Sequence, residues 1–206
     1  MSTRLFGDDV TELQRLLKSS GLFKGKIDGV WGSSTDTAAT AFENFYKAIR
    51  SSDGEFDARS EACILTLNPK AQELARQTLK IIRKNGIDAR IISGTRSYLE
   101  QDTLYKKGRY GDPGPIVTNA RGGQSNHNFG IAWDIGIFDA KGKYLPDSPL
   151  YRKAGQIVVT ANNLPKGAVG WGGEWKGFPD ISHYQLHTGL ALAEVRRRFE
   201  AGIPLV

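Results

Sequence analysis

The dipeptide Asn68-Pro69 divides this chain into two parts with different residue patterns, and it limits the possible folds more than any other feature. Asn favours the N-cap of a helix and Pro its first position, so a new helix should begin here. The sequence before this point shows only helical spacing of apolar residues, whereas the sequence after it mixes helical spacing with alternation. We therefore predict two domains, residues 1–67 and residues 68–206.

The first domain should consist of three short helices. Asp9 and Glu12 have the spacing of a capping box at the start of the first helix. A domain this small has a marginal core, which is typical of a helper module. The apolar residues expected to face inward are Val10, Leu13, Leu16 and Leu17, then Ala38, Ala41, Phe42, Phe45 and Ile49, then Ala58, Ala62 and Leu65.

The second domain should belong to the α+β class. After the helix at Pro69, Ser97 and Glu100 form a capping box that opens another helix. Gly, Pro and Asn are dense over residues 110–123, which predicts a long loop. Helices mixed with short strands favour a small antiparallel sheet flanked by helices. Strands are expected over residues 87–93, 131–138 and 181–186.

The composition excludes several classes of protein. Cys63 is the only cysteine, so no internal disulfide can form. The apolar runs are too short to span a bilayer. The N-terminal nine residues lack the apolar core of a secretory signal, so none is expected.

The net charge of +6 is unevenly distributed. Residues 1–67 carry eight Lys/Arg against ten Asp/Glu, and residues 68–206 carry twenty against twelve. A basic domain is attracted to polyanions such as nucleic acid or an anionic cell wall. However, no compact basic block with interleaved aromatic residues is present, and the run 196–198 should be a solvated helix face. We therefore expect no nucleic-acid partner.

Two of the three histidines lie close to aspartates, in segments that are far apart in the sequence. A catalytic zinc typically takes three N or O ligands and leaves a position for water. His127, Asp134 and His183 fit that number, and Asp180 is a nearby carboxylate that could accept a proton. On a strand over residues 131–138, Asp134 would lie on the face with small neighbours, opposite the face that bears bulky apolar side chains.

Other interpretations of these residues remain open. A single histidine beside a strand is more often a hydrogen-bonded polar residue than a metal ligand. His183 and His187 have the spacing of a helical zinc motif without its Glu, so His187 is expected to have a structural or supporting role. Glu174 is the rival candidate for the base, and Trp171 and Trp175 either line a cleft or pack in the core.

The segment Ser125-x-His127-x-x-Gly130-x-Ala132-x-Asp134 closely resembles the D-alanyl-D-alanine peptidase family. Three further elements of the resemblance are Ser93-Gly-Thr-Arg96-Ser97, Trp171-Gly-Gly-Glu-Trp175 and Asp180-x-x-His183, and together the elements cover about residues 70–190. The resemblance implies a zinc ion held by His127, Asp134 and His183. It also implies Asp180 as the general base, Arg96 as the residue that stabilises the oxyanion, and Ser125 as a substrate-binding residue.

The first domain resembles the three-helix peptidoglycan-binding module of bacterial and phage cell-wall enzymes. The elements that match are Leu13-Gln14-x-x-Leu17, Gly21, Ile27-Asp28-Gly29-Val30-Trp31-Gly32, Thr35, Ala38 and Phe42. This resemblance implies that residues 1–67 bind peptidoglycan.

The two resemblances together imply a phage endolysin that cleaves the stem peptide of peptidoglycan. Asp at position 180 and the Trp-Gly-Gly segment look more like the phage endopeptidase branch, which cuts between L-alanine and D-glutamate. Such a protein is expected to be a monomer without stable membrane association, held in the host cytoplasm until release to the wall. The alternatives are a D-Ala-D-Ala carboxypeptidase and a non-catalytic wall-binding protein.

Overall fold

The computed structural model describes residues 9–206, so the expectation about a secretory signal in the first residues falls mostly outside it. No helix within these residues is both long and apolar enough to cross a membrane. The elements in chain order are α1 (Val10–Ser19), α2 (Ser33–Asp53), α3 (Ala58–Leu65), α4 (Pro69–Lys84), β1 (Ala89–Ser93), α5 (Tyr98–Lys106), β2 (Ala132–Ile137), α6 (Leu150–Val159), β3 (Val169–Trp171), β4 (His183–Leu186) and α7 (Leu192–Ala201).

The four strands form one antiparallel sheet in the order β1-β2-β4-β3. Strand β2 is central, and its alternate residues Trp133, Ile135 and Ile137 are fully buried. The predicted α+β class, with a small antiparallel sheet and helices, is therefore confirmed. Strand β3 was not predicted, because three residues are too few to show an alternating pattern.

The chain forms two compact units. Unit one combines the described part of Met1–Asn44 with Thr95–Gly130 and Gly189–Val206. Unit two combines Phe45–Gly94 with Ile131–Thr188 and contains the whole sheet. The functional boundary after residue 67 stays a prediction.

In unit one, helix α1 packs against α7 through its apolar stripe. Asp9 caps α1, since its side chain accepts the N–H of Glu12 at 2.9 Å. The predicted capping box is only half formed, because the Glu12 carboxylate accepts the backbone N–H of Tyr98 instead. The prediction failed because this partner lies 86 residues away in the sequence.

In unit two, helix α3 packs on the edge strand β1. The Ser60 hydroxyl accepts the N–H of Ile91 at 2.9 Å, and Glu61 forms a buried ion pair with Arg76 at 2.8 Å. The inward positions predicted for this helix were wrong at Ala58 and Ala62, which are exposed. The face that packs carries polar groups with partners in β1 and α4, which apolar periodicity cannot detect.

Ala41 of α2 was likewise predicted to face inward but is exposed.

Candidate metal centre

His127 lies on a short 3-10 turn, Asn126–Phe129, just before strand β2. Ser125 is the N-cap of this turn, and its hydroxyl accepts the N–H of His127 at 3.4 Å. Gly130 ends the turn with φ 69°, a left-handed conformation that glycine adopts without strain. Local sequence therefore sets the position of His127, whose residue surface is 2% exposed. Ser125 has a structural contact here, and its predicted contact with substrate stays a prediction.

Asp134 on β2 and His183 on β4 are direct cross-strand partners in the sheet. Residues opposite each other on antiparallel strands have Cβ atoms about 4.5–5.5 Å apart, so their side chains meet. The His183 Nδ1 atom lies 3.3 Å from Asp134 Oδ1. Both side chains are largely buried. The predicted shared face of His183 and Gln185 is confirmed, because His183 Nε2 lies 3.1 Å from Gln185 Oε1.

The candidate ligand atoms of His127, Asp134 and His183 all lie within 4.8 Å of one another. A tetrahedral metal with bonds of about 2.1 Å has ligand atoms about 3.4 Å apart, close to the spacing of the Asp134 and His183 atoms. With Nδ1 turned toward Asp134, Nε2–H of His183 can donate to Gln185, as the second ring nitrogen of a metal-bound histidine usually does. The donor set and its support therefore fit a divalent metal ion.

Arg96 is tied to the turn that carries His127. Its N–H donates to the carbonyl oxygen of His127 at 3.1 Å. The buried side chain of Asn128 donates to the carbonyl oxygen of Arg96 at 3.0 Å. The Arg96 guanidinium donates to Gln101 Oε1 at 3.3 Å. The main chain at Arg96 is thus fixed by the histidine-bearing turn, while its side chain extends along α5.

Asp180 lies in the tight turn that leads into β4. Its carbonyl oxygen accepts the N–H of His183 at 3.3 Å. Its carboxylate Oδ1 accepts the hydroxyl of Ser182 at 2.8 Å and the N–H of Ser182 at 3.2 Å. Within the described residues, this carboxylate accepts two hydrogen bonds, and both are made to Oδ1. The other oxygen, Oδ2, can therefore accept a proton.

The rival carboxylate, Glu174, has different surroundings. It is exposed and borders a pocket of about 880 Å³ whose other lining residues all belong to the range 158–169. None of the three metal-ligand candidates lines this pocket. The choice between Asp180 and Glu174 as the base therefore stays a prediction.

The Trp-Gly-Gly segment holds the turn around Asp180 in place. Trp171 is buried, and its Nε1 donates to the carbonyl oxygen of Ile181 at 3.0 Å. A Cβ atom at Gly172 would lie 2.5 Å from the carbonyl oxygen of Asp180, so the close approach requires glycine. Trp171 therefore packs, whereas Trp175 is partly exposed beside His183.

Sequence reasoning did not assign a role to Gln185 or to Asn128. For Gln185 a signal was present, since it shares a strand face with His183. Asn128 gives no such signal, because its partners Arg96 and Ser97 are about thirty residues away. His187 is exposed and is not part of the candidate metal-ligand group.

In unit one, the segment between α1 and α2 is organised by Gln14. This buried side chain accepts the N–H groups of Asp28 and Gly29, each at 2.9 Å, and donates to the carbonyl oxygen of Val30 at 3.0 Å. The loop therefore has a fixed shape, and it exposes the side chains of Val30 and Trp31.

Two histidines and a carboxylate that converge beside a small antiparallel sheet define a candidate metal centre of the hydrolytic kind. A family model described as D-alanyl-D-alanine carboxypeptidase matches residues 118–186. A second model, described as a peptidoglycan binding domain, matches residues 6–59. The first match contains His127, Asp134 and His183.

The chain is 36% identical over 126 residues to the peptidoglycan L-alanyl-D-glutamate endopeptidase CwlK of Bacillus subtilis, a match that covers 58% of this chain and 73% of that protein. It therefore belongs to the D-alanyl-D-alanine carboxypeptidase family of peptidases. It is also 33% identical over 73 residues to the spore cortex-lytic enzyme of the same organism, covering 35% of this chain and 24% of that protein. The crystal structure of the Serratia marcescens L-Ala D-Glu endopeptidase ChiX is 24% identical, with a TM-score of 0.46, and the match covers 66% of this chain and 92% of that one.

Proposed function

We propose that this protein is a zinc-dependent peptidoglycan hydrolase that cleaves the stem peptide between L-alanine and D-glutamate. The observation that carries the proposal is the convergence of His127, Asp134 and His183 in a chain that is 36% identical to an endopeptidase of that specificity. The match of residues 6–59 to a peptidoglycan binding domain supports the same substrate. The role of a phage endolysin rests on the sequence resemblance and is proposed on that basis.

The residues of the site have separate roles in this proposal. Zinc held by His127, Asp134 and His183 would polarise the scissile carbonyl and lower the pKa of a water molecule to about 7. Asp180 takes the proton from the attacking water through Oδ2 and passes it to the leaving amine of D-glutamate. Arg96 donates to the oxygen that becomes negative as the carbonyl carbon turns tetrahedral. Ser125 is proposed to contact the substrate.

A D-Ala-D-Ala carboxypeptidase is the second candidate, because the matching family model carries that description. Both reactions add water across a peptide bond and could use the same residues. They differ in the products, since an endopeptidase releases peptides that begin with D-glutamate and a carboxypeptidase releases free D-alanine. A wall-binding protein without activity would release neither.

The deciding experiment is mass spectrometry of purified peptidoglycan after digestion by the zinc-loaded protein. We expect new peptides with N-terminal D-glutamate, no such peptides after metal chelation, and their return when zinc is added back. The matched control is His183→Ala, which removes one proposed ligand. Free D-alanine as the main product would replace the first candidate by the second, and an unchanged wall would reject both.

A further inference from the structure

Glu12 of helix α1 is a buried carboxylate whose hydrogen bonds lead away from its own helix. The residue is 4% exposed. Its Oε1 and Oε2 atoms accept the backbone N–H of Tyr98 at 3.0 Å and 3.3 Å. Tyr98 is the first residue of α5, where backbone N–H groups have no acceptor within the helix. Glu12 therefore caps a helix that belongs to a distant part of the chain.

The start of α5 is held by two carboxylates from different helices. Ser97 and Glu100 form a complete capping box, in which Glu100 Oε2 accepts the N–H of Ser97 at 2.6 Å. Glu12 accepts the next N–H along the chain, that of Tyr98. Successive backbone donors at residues 97 and 98 are thus each fixed by an acid, and one of these acids comes from α1.

The same segment leads directly to the residues proposed to carry the chemistry. Arg96, two residues before Tyr98, donates its N–H to the carbonyl oxygen of His127 at 3.1 Å. Asn128 donates to the carbonyl oxygens of Arg96 and Ser97 at 3.0 Å and 3.3 Å. Hydrogen bonds and two peptide units therefore connect Glu12 with the turn that bears His127, and all of these contacts lie within unit one.

We propose that Glu12 is a positioning residue for hydrolysis: by holding the N–H of Tyr98 it fixes the segment 96–98 and so aligns Arg96 with the turn of His127. The inference rests on the proposed function, in which Arg96 stabilises the oxyanion and His127 binds the metal. Helix α1 lies within the match to a peptidoglycan binding domain. Under this proposal the helix contributes to catalysis as well as to binding.

The charges around Glu12 indicate that the bond to Tyr98 compensates for an unfavourable location. The pKa of the Glu12 carboxyl is raised to about 7, chiefly by burial and also by the nearby Asp9 and Glu100, against the lowering effect of the Tyr98 N–H and Arg15. A buried carboxyl destabilises the fold unless hydrogen bonds compensate for its lost hydration. Asp9 already caps helix α1, so Glu12 is not needed for that. Among the described contacts, the hydrogen bonds that compensate for the burial of the Glu12 carboxylate come only from the Tyr98 N–H.

Three substitutions at one position in the full chain test the proposal. Glu12→Gln keeps an oxygen at the right distance, Glu12→Asp keeps the charge but is one methylene too short to reach Tyr98, and Glu12→Ala removes the acceptor. The matched control is Asp9→Ala, which weakens the same helix by removing its cap but leaves the acceptor for Tyr98 in place. Thermal unfolding of each zinc-loaded variant establishes that it is folded at the assay temperature.

Two readouts are needed, namely kcat and KM on a soluble muropeptide and the hydrogen-exchange rate of the Arg96 amide. For Glu12→Asp and Glu12→Ala we expect kcat to fall by about tenfold to a hundredfold, because small misalignments near a reacting centre slow the reaction by such factors. KM should change by less than about twofold. We expect faster exchange of the Arg96 amide in the same variants. Glu12→Gln and Asp9→Ala should retain wild-type values in both measurements.

The outcomes separate this inference from the proposed function. Wild-type kcat in Glu12→Asp, or an equal loss of kcat in Asp9→Ala, overturns the positioning role while leaving the peptidase intact. If Glu12→Ala does not fold, the comparison of Glu12→Asp with Glu12→Gln decides. If the wild-type protein cuts no muropeptide, the proposed function is wrong. The positioning role is then rejected too, because there is no reaction for Glu12 to support.

Discussion

The indole of Trp175 lies against the imidazole of His183, with ring centroids 4.8 Å apart and ring planes inclined by 49°. His183 is buried, whereas Trp175 is 41% exposed. The indole therefore packs against a proposed metal ligand while part of its surface stays exposed. We predict that the exposed part of Trp175 contacts a bound peptide.

Replacing Trp175 by Ala should raise KM for a soluble muropeptide by about fivefold, because the loss of one aromatic contact costs about 1 kcal/mol of binding free energy. Zinc should still bind at one ion per chain, because no ligand is removed. Steady-state kinetics and metal analysis provide the measurement. Phe178→Ala is the control, since Phe178 is an exposed aromatic residue three positions further along. An unchanged KM in Trp175→Ala would reject the contact with substrate.

Substitutions at His183 and Gln185 should have graded effects on the metal. His183→Ala removes a proposed ligand, so zinc content should fall from one ion per chain to near zero. Gln185→Ala removes the acceptor of His183 Nε2–H without removing a proposed ligand, and it should weaken zinc affinity by about 10- to 100-fold. Titration with a competing chelator measures both. Undiminished zinc content in His183→Ala would disprove the ligand assignment.

Much of this site could be predicted because its signals are local. Alternation along β2 separates Asp134 from Trp133 and Ile135, and the same period puts His183 and Gln185 on one face of β4. Gly130 predicts the bend that follows His127. These inferences need only a few neighbouring residues, and the register of β2 with β4 then brings Asp134 opposite His183.

Features that depend on distant partners could not be predicted. The spacing of Asp9 and Glu12 predicts a capping box, but the acceptor of the Tyr98 N–H is found only after folding brings α1 to α5. Helix α3 buries Ser60 because that hydroxyl meets a backbone N–H of β1. Hydrophobic periodicity carries no information about such polar contacts, so it selected the wrong residues in α3.

Asp180→Asn should retain zinc but reduce kcat by about 10²- to 10⁴-fold, because the amide cannot take the proton from water. The amide oxygen can still accept from Ser182, so the turn before His183 should keep its shape. Glu174→Gln is the matched control and should be close to wild type. If instead Glu174→Gln is inactive and Asp180→Asn is active, the base has been assigned to the wrong carboxylate.

The burial of Glu12 also predicts how stability changes with pH. Burial and the neighbouring acids raise the pKa of its carboxyl from 4.5 to about 7. A group whose pKa is higher in the folded state stabilises the fold at low pH, and this contribution is lost as the pH rises through the folded-state pKa. The loss should therefore occur between about pH 4.5 and pH 7.

The substitution Glu12→Gln removes this titration. Its free energy of unfolding, relative to that of the wild-type protein, should therefore increase by up to about 3 kcal/mol between pH 4.5 and pH 8. Urea unfolding of the two metal-free proteins at several pH values measures the difference, and titrations common to both cancel. Parallel pH profiles would show that Glu12 does not titrate in this range.

The loop after α1 provides a test of wall binding in the undivided chain. Gln14 fixes this loop through the N–H groups of Asp28 and Gly29, and the loop exposes Val30 by 63% and Trp31 by 36%. A rigid loop loses little conformational entropy on binding, and exposed apolar side chains gain from contact with a ligand. We therefore expect Val30 and Trp31 to contact peptidoglycan.

The double substitution of Val30 by Ser and Trp31 by Ala should weaken co-sedimentation with purified sacculi and slow their digestion. Cleavage of soluble muropeptides should be unchanged, because only an insoluble substrate benefits from the raised local concentration that tethering provides. Ile203→Ser, at an exposed apolar residue near the C-terminus, is the control. Unaltered sedimentation of the double variant would show that this loop does not bind the wall, whereas equal losses on soluble and insoluble substrates would show that it acts through the peptidase site.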